Sequence, residues 1–198
     1  MSTRAPSQRW ALEWKPLIIA SNYFYGSLHF VVTIGVLVYL YRRWSDDYPV
    51  LRNAIAISSA IALAGFAFWP LMPPRLLPAS FGFVDTLDQY PTFWSFQRGA
   101  VNAISNQYAA MPSVHCIWAL WCTYVLVPRV RSVWAKVLAL LYPAGTLVSI
   151  VLTANHFVLD AVAGLVVLVA GTAIAGVATR AGRRAPVLLP AGASWRDR

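Results

Sequence analysis

Five stretches without a charged side chain, 17–41, 53–74, 99–128, 137–159 and 161–179, constrain this chain more than any other feature. A hydrocarbon core about 30 Å thick takes roughly 20 helical residues, and inside it every backbone N–H and C=O must be paired within the chain. Each stretch can cross as a helix, so the sequence predicts an all-α integral membrane protein with a bundle of about five transmembrane helices. The 198 residues are 59% hydrophobic and only 12% charged, which excludes a soluble domain of ordinary composition. The third stretch exceeds what a crossing needs, and its first part, 99–110, is the more polar. Its helix is expected from about Pro112 to Val127, the rest forming a shallow or irregular segment. One transmembrane domain, 1–179, is expected, followed by a basic, mobile cytoplasmic tail, 180–198.

The cations set an orientation. With five crossings, the face holding the 42–52 loop, the 128–136 loop and the C-terminal tail carries eleven Lys and Arg residues, against five on the other. That asymmetry predicts a cytoplasmic C-terminus and an outward N-terminus. Arg4, Arg9 and Lys15 precede the first crossing, and residues 10–20 are expected to lie as an amphipathic interfacial helix anchored by Trp10 and Trp14. No short apolar core with a small-residue cleavage site precedes them, so no processing is expected. The net charge of +9 is spread along the flanks of apolar segments, where topology and anionic lipid account for it; a nucleic-acid partner is excluded. Cys116 and Cys122 lie six apart inside the third crossing and read as small apolar residues, without disulfide or metal role. The preference for Arg over Lys, with abundant Ala and Val, fits a bacterial origin.

Successive crossings alternate in direction, so the end of the second, the start of the third, the end of the fourth and the start of the fifth share one face, the extracytoplasmic one. Arg75, the segment Pro112-Ser113-Val114-His115 and the pair His156 and Asp160 all fall there. Ionisable groups at the edge of lipid are costly and point to a task. With the fifth helix starting near Asn155, His156 and Asp160 stand four apart on one helical face. The carboxylate would accept from one ring nitrogen and leave the other free to attack. A buried His–Asp contact between helices is the structural alternative. Pro112 suits the first position of a helix, whose exposed N–H groups attract an anion; Ser113 adds a hydroxyl, and His115 can protonate a departing oxygen. Arg75, held by Pro73, Pro74 and Pro78, can bind phosphate oxygens bidentately, or serve as an interfacial anchor. The segment 79–107 carries Phe81, Phe83, Tyr90, Phe93, Trp94 and Phe96 and is expected to anchor at the headgroups, with a lid as the alternative. His29 is about seven residues into the first crossing and is expected to bond a neighbouring helix, substrate contact being the other reading.

These segments resemble the signature segments of the type 2 phosphatidic acid phosphatase superfamily, and the run Gln107 to His115 most resembles its branch related to inositol phosphorylceramide synthases. The resemblance covers about residues 22–164. It implies a metal-free and cofactor-free helical bundle in which His156 becomes a phosphohistidine, Asp160 orients it, His115 is the acid, and Arg75 with Ser113 binds phosphate. Lipid phosphate and membrane lipids are the implied partners. Two cations of the family pattern are missing, Phe68 and Ile150 standing in their places; Arg98, Asn155 and Gln107 are candidate substitutes. Water as acceptor makes the protein a phosphatase for a lipid phosphate or pyrophosphate, and an alcohol makes it a phosphotransferase. A non-enzymatic lipid-binding protein or a proton-coupled membrane protein remains the reading from another class, although a relay would spread its polar groups through the depth of the bundle.

Overall fold

The computed structural model describes residues 6–92 and 106–184. Five helices dominate: α1 (Lys15–Arg43), α2 (Tyr48–Phe68), α3 (Val114–Leu126), α4 (Val133–Leu152) and α5 (Val158–Arg184). Four of them are long and apolar enough to cross a membrane, and α3 is a shorter apolar helix. The expected all-α architecture of about five helices is therefore present, and large apolar side chains such as Val31, Trp134, Leu138, Val166 and Val177 face outward, as lipid requires.

The thirteen residues of α3 are fewer than a free crossing needs, and its position explains why that suffices. It packs against all four other helices. Its Ile117, Trp121, Cys122 and Val125 form the core with Val36, Leu40, Leu51, Ala54, Ile55, Ala62, Leu168 and Ala175. The Trp121 indole N–H donates to the Leu51 carbonyl at 3.0 Å, and Trp118 donates to Ser59 at 3.0 Å. Helices α2 and α5 approach through small residues: a methyl group at Gly171 would lie 2.9 Å from the Ser58 backbone nitrogen. Close backbone approach of this kind is how helices associate where lipid removes the hydrophobic drive. Both cysteines are free and buried.

The N-terminal segment departs from expectation. The expected interfacial helix over 10–20 is two short turns, Pro6–Arg9 and Ala11–Glu13, and Lys15 already begins α1. Pro16 at the start of α1 favours initiation there. Trp10 and Trp14 remain exposed, as headgroup anchors would be. Gln8 is fully buried and tethers this segment by accepting from the Val84 N–H at 2.9 Å and donating to the Leu152 carbonyl at 3.0 Å. At the other end, α5 runs through Arg184, so residues 180–184 of the expected tail are helical.

Candidate active site

The starts of α1, α3 and α5 and the ends of α2 and α4 converge on one face, where a cavity of about 480 Å³ opens. Tyr25, His29, Arg75, Gln107, His115, Asn155 and His156 line it, with Phe30, Leu63 and Phe66 as apolar wall. Every histidine of the chain is in that lining.

His156 owes its place to the way α4 ends. The N–H groups of Asn155 and His156 both donate to the Ile150 carbonyl, at 3.0 and 3.2 Å, across a turn in which Ala154 takes φ 53°. That left-handed conformation costs a non-glycine residue roughly 1 kcal/mol, and backbone strain of this kind clusters at functional sites. The fifth helix consequently starts at Val158, three residues later than the spacing suggested, so His156 precedes it. The pair nevertheless meets: His156 Nδ1 is 3.4 Å from Asp160 Oδ2. A shorter contact was not legible in the sequence, the one Nδ1 donates to the Ala110 carbonyl at 2.7 Å. A carbonyl can only accept, so Nδ1 bears a proton, and in the neutral ring the lone pair is then on Nε2. Asp160 does more than face the histidine, because its Oδ2 also accepts from the Phe157 N–H at 2.9 Å at the head of α5.

Helix α3 begins after Ser113, not at Pro112. Ser113 is the cap: its hydroxyl oxygen accepts from Cys116 N–H at 3.4 Å and its own N–H donates to the Asp160 carbonyl at 3.0 Å. It is fully buried and holds two site segments together at the edge of the cavity, with its O–H proton uncommitted among the described residues. The Val114 and His115 N–H groups face no protein acceptor among the described residues and remain available to an anion at the helix start.

His115 stacks on Tyr25, ring centroids 4.1 Å apart, and lies 5.8 Å from the His156 ring. His29 stands edge-on to it at 4.3 Å and donates from Nδ1 to the Tyr25 carbonyl at 2.9 Å. The expected bond to a neighbouring helix is thus made within α1, and the ring faces the cavity. A π-helical turn, Phe24–Leu28, sets this register, and such bulges recur at functional sites. Tyr25 had no signal in the sequence pattern, since an aromatic near a helix start reads as an interface anchor.

Arg75 is 8% exposed, with Nε donating to Asn155 Oδ1 at 2.9 Å and Nη1 paired with Asp85 Oδ2 at 3.0 Å. Among the described residues two of its five donors are so engaged, leaving three for a ligand. Asp85 also caps the turn Thr86–Gln89, which Asn22 of α1 grips through Thr86 and Tyr90. Asn155 thus orients Arg75, and both it and Gln107 line the cavity. Phe68 is 74% exposed on the outer surface, and Ile150 is buried in α4, so neither position supplies a cation. Arg98, with Phe93, Trp94 and Phe96 of the 79–107 segment, lies outside the described residues. Among the described residues no group of three His, Cys, Asp or Glu side chains is arranged to hold a metal ion.

A sequence model of the PAP2 superfamily matches residues 1–174. No curated protein matches in sequence. Among solved structures, the crystal structure of Aquifex aeolicus LpxE is similar, with a TM-score of 0.58 over 80% of this chain and 84% of that one, at 18% identity. That similarity is one of fold.

Proposed function

The chain belongs to the PAP2 superfamily, and from that membership we propose that it is a membrane-embedded lipid phosphatase working through a phosphohistidine at His156. The observation that carries this reading is the His156 tautomer: with Nδ1 donating to the Ala110 carbonyl, Nε2 presents its lone pair beside His115 and Arg75. Nε2 attacks phosphorus in line as the bond to the lipid oxygen breaks, and His115 gives that oxygen a proton. The remaining Arg75 donors and the first N–H groups of α3 stabilise the equatorial oxygens. Water then attacks the phosphohistidine, His115 takes its proton, and inorganic phosphate leaves. Asp160 steadies the cation that develops on His156. The apolar wall of Phe30, Leu63 and Phe66 suits the chains of a lipid phosphate. We place this chemistry on the extracytoplasmic face of a bacterial cell membrane, because most Lys and Arg lie on the other side.

One observation favours a second reading, transfer of a phospho-headgroup to an alcohol. Among the described residues Arg75 is the cavity's one cation, and Asp85 balances part of its charge. A phosphodiester carries one negative charge where a monoester carries up to two, so this site suits the diester. The resemblance of residues 107–115 to inositol phosphorylceramide synthases supports the same reading. Purified protein incubated with phosphate-labelled lipid monoesters and diesters, with and without alcohol acceptors, separates the two. An acid-labile phosphoenzyme absent from His156→Ala is expected in both cases. Failure to trap one under single-turnover conditions, with turnover intact, would overturn the covalent mechanism.

A further inference from the structure

At the end of the bundle away from the histidines, a groove of about 660 Å³ runs between α3 and α5. Its origin is the difference in length between two helices that start together. The Ser113 N–H bonds the Asp160 carbonyl, so α3 and α5 leave the same face side by side. Helix α3 has 13 residues and α5 has 27, roughly 20 Å against 40 Å of helix. The last turns of α5 therefore run on without cover from α3. Leu120, Tyr124, Leu168, Val169 and Gly176 line the groove and Arg180 closes it.

Arg180 is twenty residues beyond Asp160, about 30 Å along the helix, which is one hydrocarbon thickness. It stands at the headgroup level of the leaflet opposite the histidine cluster. No lining residue is acidic, and Arg180 joins none of the ion pairs among the described residues. A guanidinium at the mouth of an apolar groove attracts an anion whose other end is apolar. We propose that this groove binds one anionic phospholipid of that leaflet, an acyl chain lying along α5 and the phosphate on Arg180.

The test uses the full chain in detergent, titrated with phosphatidylglycerol or phosphatidylcholine while the melting temperature is read. Phosphatidylglycerol at ten times its dissociation constant is expected to raise the melting temperature by about 3–6 °C, phosphatidylcholine by much less. Two variants probe the two halves of the site. Gly176→Leu projects into the groove from a position where an added Cβ meets nothing within 4 Å; Arg180→Gln removes the charge. Both should lose the phosphatidylglycerol shift while keeping the lipid-free melting temperature. Equal shifts with the two lipids would overturn the proposal, as would a full shift in Gly176→Leu, which would leave only nonspecific surface charge.

Discussion

Gly164 offers the sharpest test of how packing sets the geometry of the site. A methyl group added there would lie 2.9 Å from the Ser113 carbonyl oxygen, 3.4 Å from Ile117 Cγ1 and 3.5 Å from Cys116 Cβ. Ordinary carbon–oxygen contact begins at about 3.3 Å, so Gly164→Ala must drive the start of α3 away from α5 by about 0.4 Å. The obstacle is backbone oxygen, not the end of a flexible side chain, so little else can yield. Ser113 is two residues from His115, while Gly164 is four from Asp160; the displacement falls on the separation of His115 from His156, now 5.8 Å between centroids. If a misplacement of 1 Å costs about a hundredfold in rate, 0.4 Å costs about sixfold. Overpacking adds about 1 kcal/mol of destabilisation. The assay is phosphate release from a lipid phosphate, with kcat and KM determined separately, beside thermal melting. Gly35→Ala and Gly176→Ala are the controls, since added methyl groups there meet nothing within 4 Å. A Gly164→Ala enzyme with wild-type kcat would refute the claim that contact of α3 with α5 fixes the distance between the histidines.

Three further perturbations test individual roles. His115→Asn should slow release of an alkoxide leaving group by about 10²–10⁴-fold but barely affect an activated phenolate ester, which needs no proton; equal losses on both would remove the assignment of general acid. Arg75→Lys keeps the charge but loses the Nε contact to Asn155 and the planar fork, so KM for the lipid phosphate should rise about tenfold or more, and an unchanged KM would separate Arg75 from substrate. Asn22→Leu removes three hydrogen bonds to the turn carrying Asp85, two of them buried. A cost of roughly 2–4 kcal/mol is expected in thermal or denaturant unfolding, and wild-type stability would show that this tether is not what holds Asp85 in place.

How much was legible follows from the range of each interaction. The convergence of Arg75, His115, His156 and Asp160 on one face could be read by counting crossings, because alternation in direction is a topological consequence of spanning. The missing cations at Phe68 and Ile150 were visible as residue types. The partner of His156 was not, since the Ala110 carbonyl lies 46 residues away in a segment whose backbone path depends on the tertiary packing. Serine at a helix start can bind an anion or cap the helix, and only the structure shows that Ser113 caps α3 and bonds the Asp160 carbonyl. His29 was expected to serve its neighbours, since one histidine in a helix carries no information on which way its ring points; the π-helical turn at Phe24–Leu28 turns it to the cavity.

The helical class, the number of apolar segments and the gathering of the costly polar groups at one face followed from the sequence. Those are consequences of a local quantity, the free energy of placing each side chain and each backbone amide in hydrocarbon. Tertiary structure alone decided which nitrogen of His156 is protonated, that Arg75 is shared between Asn155 and Asp85, and that all three histidines face one cavity. Those features rest on hydrogen bonds between residues 10 to 80 apart in the chain and on ring contacts of 4 to 6 Å, as between His29, His115 and His156. Shifts of a few tenths of an ångström in helix packing make or break such contacts, and nothing in the pattern of apolar segments specifies packing to that accuracy.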